Sequence, residues 1–216
     1  MQITLCLDAQ YWQSDTTSKP KALATLLSRA DRLPAWPKDE TIYSFFLGLK
    51  QNKKTSIAAL HAAAWDVSAV TPIWMHADPV HIVADQNNAF LVDRVAPTDD
   101  EITSLLLEIN QHLTHDDCAL LAPRAEQWLL NIPNKPDIST IPVTEVIGHA
   151  IAEKLPDGVD HVHWRRLFTE LQILLYRHPV NEARRARNMP TVDALWFWGE
   201  GDVPEVLENA VIYSLD

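Results

Sequence analysis

The stretch from Ile73 to Asp93 constrains the fold more than any other part of the chain. It reads IWMHADPVHIVADQNNAFLVD, two apolar runs that enclose the polar residues DQNN. This pattern predicts a β-hairpin with a four-residue loop. The runs CALLA and QWLLNI, joined by Pro123 and Arg124, predict a second strand pair, and VDALWFW predicts another strand. Antiparallel pairing is therefore expected in the sheet.

Helical periodicity accompanies these strands. The segment TDDEITSLLLEINQHL opens with a capping box, since Thr98 and Glu101 are three residues apart, and its apolar residues recur on one face. A similar stripe over residues 167–175 predicts a long helix, and a shorter helix is predicted around residues 146–151, ended by LPDG. Pro179 lacks an N–H and is therefore expected to kink the chain or to start a new turn.

The first seventy residues predict one strand, ITLCLDA, followed by about three helices, with Asp39 and Thr55 as candidate N-caps. We expect a single α/β domain over residues 1–216, divided into a helical N-terminal part, 1–70, and a mixed α/β part, 71–216. The predicted architecture is a mixed sheet with β-hairpins, flanked by helices and forming a single compact unit.

Composition excludes several classes of function. The formal net charge of −11 disfavours nucleic-acid binding, because a polyanion would be repelled. The chain lacks the roughly eighteen consecutive apolar residues of a membrane span. Its start, MQITLCLDAQYW, is unlike a signal peptide, and two cysteines, Cys6 and Cys118, are typical of a reduced compartment. We expect a cytoplasmic protein with neither a nucleic-acid nor a membrane partner.

The segment HPVNEARRAR is the strongest candidate for binding an anion. If it is helical after Pro179, Asn181, Arg184 and Arg185 share a face, and the guanidinium forks suit carboxylate or phosphate. A helix that starts at His178 or Pro179 adds free N–H groups. The same pattern also fits a solvated basic face that pairs with some of the 29 acidic residues. The nearby WFWGEG fits either a pocket wall or core tryptophans.

The histidine-rich segments are poor metal sites. His76 and Asp78 share a strand face, whereas His81 falls on the other, so Asp78 is expected to accept backbone or arginine hydrogen bonds instead. His112 and His115 have a spacing that can bind a metal, but histidines at a helix C-terminus need no ligand. No Walker A sequence, Gly-x-Gly-x-x-Gly or Gly-x-Ser-x-Gly occurs in the chain.

Three segments, HADPVHI, WRRLFTELQILLYRHPVNEARRARN and VDALWFWGEG, together resemble a bacterial family called regulatory protein RpfE, whose members are described as phosphoglycerate mutase-like. Asn110 and His112 match a family Asn-x-His, and Arg124 stands where that pattern has a basic residue. The chain departs from the family at Asn188 and Asp193, where the family has glycine and asparagine. The second departure places a negative charge near the candidate anion site.

The pieces His-Pro-x-Asn-x-x-Arg and Trp-Gly-x-Gly are also similar to a segment of archaeal-type, cofactor-independent phosphoglycerate mutases. Those enzymes belong to the alkaline-phosphatase superfamily and transfer phosphoryl groups through a serine, using two divalent metals. Their N-terminal Asp-Gly has no counterpart here, because the sole Asp-Gly of this chain is Asp157-Gly158. The resemblance therefore implies a substrate-side segment without the catalytic centre.

We accordingly expect a regulatory or binding module that holds a small phosphorylated or carboxylated molecule without turning it over. No catalytic residue, metal ligand or cofactor is assigned. The alternatives are a phosphoryl-transfer enzyme that uses manganese or magnesium, and an adaptor for a protein partner whose exposed tryptophans mark the contact surface. The ligand-binding residues predicted by the first hypothesis are His178, Asn181, Arg184 and Trp198, with Asp78, His81, Asn110, His112 and Arg124 facing the same pocket.

Overall fold

The computed structural model describes residues 56–201, which lie within one compact unit, Lys50–Glu205. The predictions for residues 1–55, including the first strand and the caps at Asp39 and Thr55, lie outside the described residues. Within the described part the fold is mixed α/β, as the sequence predicts, with a sheet flanked by helices. None of the helices between residues 56 and 201 is long and apolar enough to cross a membrane.

The described helices and strands follow one another along the chain, with two single 3₁₀ turns at Thr114–Asp116 and Val143–Glu145. In chain order they are α1 (Ile57–Ala64), β1 (Trp74–Ala84), β2 (Ala89–Arg94), α2 (Asp99–Leu113), β3 (Ala119–Arg124), β4 (Gln127–Asn131), β5 (Ile138–Ser139), β6 (Asp157–Gly158), α3 (His161–Arg177), α4 (Pro179–Ala186) and β7 (Ala194–Trp198).

β1 is the central strand of a five-stranded sheet in which every described pair is antiparallel. His76 pairs with both Leu129 and Trp198, so β4 and β7 lie on opposite edges of β1. β2 lies on the same edge of β1 as β4 but further along the strand, where it pairs with β1 from Val80 onward. β3 pairs with the outer edge of β4. The predicted hairpins β1–β2 and β3–β4 are confirmed.

Proline is tolerated in the central strand because β4 and β2 leave a break between them. The carbonyl of Pro79 accepts a hydrogen bond from the N–H of Val95, 2.8 Å away on the β2 side. The backbone N of a strand residue points to the same side as its carbonyl, so the missing N–H of Pro79 faces this break. Here the N–H of Trp128 reaches the side chain of Asp78 instead.

Two long helices cover the sheet and close the core. The capping box at Thr98 and Glu101 is confirmed, and the predicted stripe of α2 is buried at Leu105, Ile109 and Leu113. Helix α3 lays its predicted apolar face on β7, where Phe168 meets Trp196 edge-on. The chain ends α3 at Arg177 and restarts as α4 at Pro179, with the Nδ1 of His178 accepting from the N–H of Val180 as the cap.

The predicted helix around residues 146–151 is wrong. This segment follows the 3₁₀ turn and runs beside β2, where Gly148 donates its N–H to Leu91 O at 2.7 Å and Ile151 donates to Ala89 O at 2.9 Å. In an α-helix these two N–H groups would instead bond to carbonyl groups of the same segment. In addition, Gly148 has a φ of 80°, which an α-helix does not allow. Pairing with the sheet edge therefore replaces helical periodicity. The LPDG end of that prediction instead contributes β6.

Candidate functional site

The polar residues of the basic segment are used by the fold. Asn181 is fully buried, and its amide donates to Leu175 O at 2.8 Å and to Val192 O at 2.7 Å, while its oxygen accepts from the N–H of Val192 at 2.9 Å. His178 is buried, and its Nε2 lies 3.3 Å from a carboxylate oxygen of Glu108 on α2. These contacts join α3, α4 and the start of β7.

The guanidinium of Arg184 is buried and paired. It donates to Glu101 on α2 and, through Nε, to Pro190 O at 2.6 Å. Arg187, which is half-exposed, donates to the other oxygen of Glu101 at 2.9 Å. Burial raises the pKa of Glu101, but the hydrogen bond from the Thr98 N–H and the two guanidinium groups lower it by more. The net result is a pKa below the usual value of a glutamate. The carboxylate of Glu101 thus occupies the guanidinium donors that the sequence analysis expected to bind an anionic ligand.

Three further predicted residues each have a partner of their own. His81 Nδ1 lies 2.7 Å from Asp193 Oδ2, so the departure from the family pattern at Asp193 supplies the partner of a predicted site residue. Asn110 exchanges two hydrogen bonds with the backbone of Leu120. His112 Nε2 lies 3.1 Å from a carboxylate oxygen of Glu170, across the α2–α3 interface. The contacts of these three residues therefore do not link them to the basic segment.

Asp78 and Trp198 do come together, around a buried histidine. Asp78 is fully buried; one oxygen accepts from the Trp128 N–H at 3.2 Å and the other from the Trp198 indole at 2.9 Å. The expectation that Asp78 accepts a backbone hydrogen bond is confirmed. The ring of His76 lies flat on the Trp198 indole, with centroids 4.3 Å apart and an interplanar angle of 13°.

A short helix then links this buried group to an exposed arginine. His61 Nδ1 on α1 lies 2.9 Å from His76 Nε2, and its ring stacks on Trp65 with centroids 4.8 Å apart. The guanidinium of Arg124, at the end of β3, lies 4.9 Å from the Trp65 ring centroid. We call these residues, Asp78, His76, His61, Trp65 and Arg124, together with Trp198, the His61 cluster.

Sequence reasoning missed His61 and Trp65, although a signal for them was present. They stand four residues apart in HAAAW, so a helix places both rings on one face. Ser56 starts that helix by accepting from the N–H of Ala59, and it also donates to Gly199 O at 3.0 Å, which holds α1 beside the end of β7. Their position relative to Asp78 and Arg124 depends on sheet pairing, which no local pattern encodes.

His61 is a neutral imidazole at pH 7. Burial lowers its pKa to about 4, and the nearby His76 lowers it as well; Asp78 opposes this shift, while Arg124 adds to it. The ring can therefore exchange hydrogen bonds at neutral pH without carrying charge. The permanent positive charge of the cluster is that of Arg124, whose side chain is exposed to solvent.

The described residues do not fit a divalent metal. Within residues 56–201, no three side chains of histidine, cysteine, aspartate or glutamate are placed to hold one ion. In the His61 cluster, the direct hydrogen-bond distance between His61 and His76 leaves no room for a metal between the two rings. Cys118 is half-buried, and burial raises the pKa of its thiol to about 11, which disfavours the thiolate form that binds metals.

Comparison with known proteins agrees with the mutase-like resemblance. No protein-family model matches the chain. The 2,3-bisphosphoglycerate-independent phosphoglycerate mutase of Methanothrix thermoacetophila is 29% identical over 79 residues, which cover 37% of this chain and 20% of that protein. The corresponding mutase of Methanosarcina barkeri is 29% identical over 73 residues, which cover 34% of this chain and 18% of that protein. The chain is thus weakly homologous to these enzymes and aligns with a fifth or less of their length.

A solved structure has the same fold. The cofactor-independent phosphoglycerate mutase from Thermoplasma acidophilum superposes with a TM-score of 0.54 and 16% identity, over 79% of this chain and 48% of that one. The chain therefore spans about half the length of that enzyme. Membership of the regulatory protein RpfE family stays a prediction from the sequence.

Proposed function

We propose that this chain is a mutase-like regulatory or binding module of the RpfE type, which holds a small phosphorylated or carboxylated molecule without turning it over. The weak homology to cofactor-independent phosphoglycerate mutases supports a small anionic ligand of this kind. The lack of a fitting metal-donor set within residues 56–201 argues for binding rather than two-metal phosphoryl transfer in this part of the chain.

The proposed binding surface is the exposed end of the His61 cluster. The observation that carries it is the continuous array of contacts from the buried Asp78 to the solvent-exposed Arg124. Arg184 and Arg187 share the carboxylate of Glu101, whereas Arg124 lies against an indole rather than a carboxylate. A guanidinium that lies against an indole and has no described acidic partner is suited to bind a carboxylate or phosphate.

The strength of this contact can be bounded. One charge-assisted hydrogen bond contributes about 1.5–3 kcal/mol when it is desolvated, and a small ligand that makes two or three of them reaches affinities on the order of micromolar after ordering costs. Because Arg124 is exposed and a ligand desolvates it only in part, removing its guanidinium should weaken binding by up to about tenfold.

Titration calorimetry with three anions tests the proposal. 3-Phosphoglycerate, glycerate and inorganic phosphate separate recognition of the phosphate from that of the carboxylate. We expect Arg124→Gln to lower the affinity for whichever anion binds, and Arg185→Gln to leave that affinity unchanged. Arg185 is a matched control, because it is also exposed and lies 5.4 Å from an aromatic centroid, that of Tyr176.

Three results would overturn the proposal. The first is the lack of binding of all three anions at millimolar concentration. The second is an equal loss of affinity in both arginine variants. The third is release of inorganic phosphate from 3-phosphoglycerate after addition of Mn²⁺ or Mg²⁺, which would favour the enzyme alternative.

A further inference from the structure

We infer that Asp78, acting through His76, holds His61 as the tautomer that carries its proton on Nδ1, and that this fixed ring positions Trp65 and Arg124 for the anion. The second part of the inference rests on the proposed function, whereas the first part concerns the free protein alone. Asp78 and His76 are thus positioning residues, since neither is exposed to solvent.

The orientation of Asp78 is fixed by two donors. The backbone N–H of Trp128 and the indole N–H of Trp198 approach different oxygens, at 3.2 and 2.9 Å, so the carboxylate cannot rotate without losing a buried hydrogen bond. Both donors belong to strands that flank β1 on opposite edges. The sheet itself therefore sets the direction of this carboxylate.

The ring of His76 is confined in the same way. It stacks on the Trp198 indole, and the backbone of Gly199 lies so close that a Cβ there would be 3.4 Å from His76 Cδ2. Its Nδ1 is buried and makes no hydrogen bond within residues 56–201, but it lies 3.4 Å from Asp78 Oδ1. A lone pair on Nδ1 would be repelled by that oxygen, whereas an N–H is attracted. The geometry thus favours the proton on Nδ1.

The tautomer of His76 determines that of His61. With its proton on Nδ1, His76 has only a lone pair on Nε2, so Nε2 must accept the hydrogen bond from His61 Nδ1 at 2.9 Å. His61 then carries its proton on Nδ1 and its lone pair on Nε2, and its Nε2 can only accept. One buried carboxylate in this way sets the hydrogen-bonding character of two imidazoles.

The fixed His61 ring in turn orders the exposed end of the cluster. His61 stacks on Trp65 with an interplanar angle of 26°, and Arg124 lies against the same indole. A His61 ring that exchanged tautomers would alternately make and break its hydrogen bond to His76, and the stacked indole would lose its support. The order of Arg124 is therefore linked to Asp78, although no direct contact joins them.

Nitrogen-15 NMR of the imidazole rings in the wild-type protein at pH 7.5 tests the first part without any ligand. Two-bond nitrogen–proton correlations distinguish a protonated Nδ1 from a protonated Nε2. We expect His61 and His76 each to show a single tautomer with the proton on Nδ1. A proton on Nε2 of His61, or an interconverting mixture, would overturn the inference.

The variant His76→Phe tests the second part, because phenylalanine keeps the stacking on Trp198 and removes the hydrogen bond to His61. We expect His61 to become a tautomer mixture and the affinity for 3-phosphoglycerate to fall by about three- to tenfold, as for other residues coupled in one network. The control His115→Phe removes an exposed histidine of the 3₁₀ turn that follows α2 and should change neither readout. Unchanged affinity in folded His76→Phe would contradict the positioning role.

The two experiments separate the inference from the proposed function. If the wild-type protein binds no anion but shows the expected tautomers, the proposed function fails and the first part of the inference stands. If anions bind at Arg124 while His61 exchanges tautomers, the inference fails and the proposed function stands.

Discussion

Arg184 on α4 donates a hydrogen bond to Glu101 in the first turn of α2, although the two residues are 83 positions apart in the chain. Both are buried, with 3% and 9% of their surface exposed. The same carboxylate also caps its own helix by accepting from the N–H of Thr98 at 3.0 Å. The Glu101 side chain thus caps the start of α2 and also fixes the position of Arg184 on α4.

Replacing Glu101 by glutamine should destabilise the protein by about 3 kcal/mol, because it leaves the buried Arg184 without a counter-charge. Urea unfolding monitored by circular dichroism measures the change. The control Arg187→Gln removes a guanidinium that is 54% exposed and should cost less than about 1 kcal/mol. Equal effects of the two substitutions would mean that the burial of Arg184 contributes nothing.

Asn181 should tolerate neither alanine nor aspartate. Alanine leaves the backbone groups of Val192 without their partner, at a cost of about 2–4 kcal/mol. Aspartate has the same shape but places a carboxylate oxygen against the carbonyl groups of Leu175 and Val192, so it should be the more harmful of the two. Thermal unfolding compares them, with the exposed Asn87→Asp as the control, expected within about 0.5 kcal/mol of wild type. A stable Asn181→Asp protein would refute this account.

Protonation of His61 should contribute to acid destabilisation. Its pKa falls from 6.5 to about 4 on folding, so below pH 6.5 the unfolded chain takes up a proton that the folded chain does not. The stability that the neutral His61 allows is therefore fully present above pH 6.5 and is lost as the pH falls toward 4. Because solvent screens the half-buried ring, we expect the loss to be about 1–2 kcal/mol.

The variant His61→Phe isolates this effect. Urea titration at several pH values measures the unfolding free energy of both proteins. The value for the wild type minus that for the variant should fall between pH 6.5 and 4 and stay constant below pH 4. His115→Phe, on an exposed 3₁₀ turn, serves as the control. A difference that does not vary with pH would contradict a neutral, buried His61.

Two glycines with positive φ should respond differently to alanine. At Gly158, with a φ of 125°, a Cβ would stand 2.7 Å from the carbonyl oxygen of Asp137, and the β5–β6 pair would have to separate. At Gly148, with a φ of 80°, a Cβ meets nothing within 4 Å. We expect losses of about 2–4 kcal/mol for Gly158→Ala and about 1 kcal/mol for Gly148→Ala. Similar losses in thermal melts would show that backbone strain alone decides both.

Much of the secondary structure could be predicted because it depends on neighbours in the chain. The loop between β1 and β2, the capping box of α2 and the apolar stripe of α3 all follow from spacings of two to four residues. The exception is the segment around Gly148. Its apolar spacing fits a helix, but its N–H groups pair with β2, more than fifty residues earlier in the chain. Competition from a distant strand edge is invisible to periodicity.

The sequence by itself determined which residues share a face. It put Asn181 and Arg184 on one side of α4, His76 and Asp78 on one side of β1, and His61 four residues before Trp65, the residue that caps the end of α1. Only the tertiary structure decided what each face meets. Glu101 arrives from α2 to neutralise Arg184, and sheet pairing brings Trp198 and Trp128 to Asp78. The physical reason is that periodicity fixes direction within one element, whereas burial, charge pairing and tautomer depend on groups brought close by packing between elements.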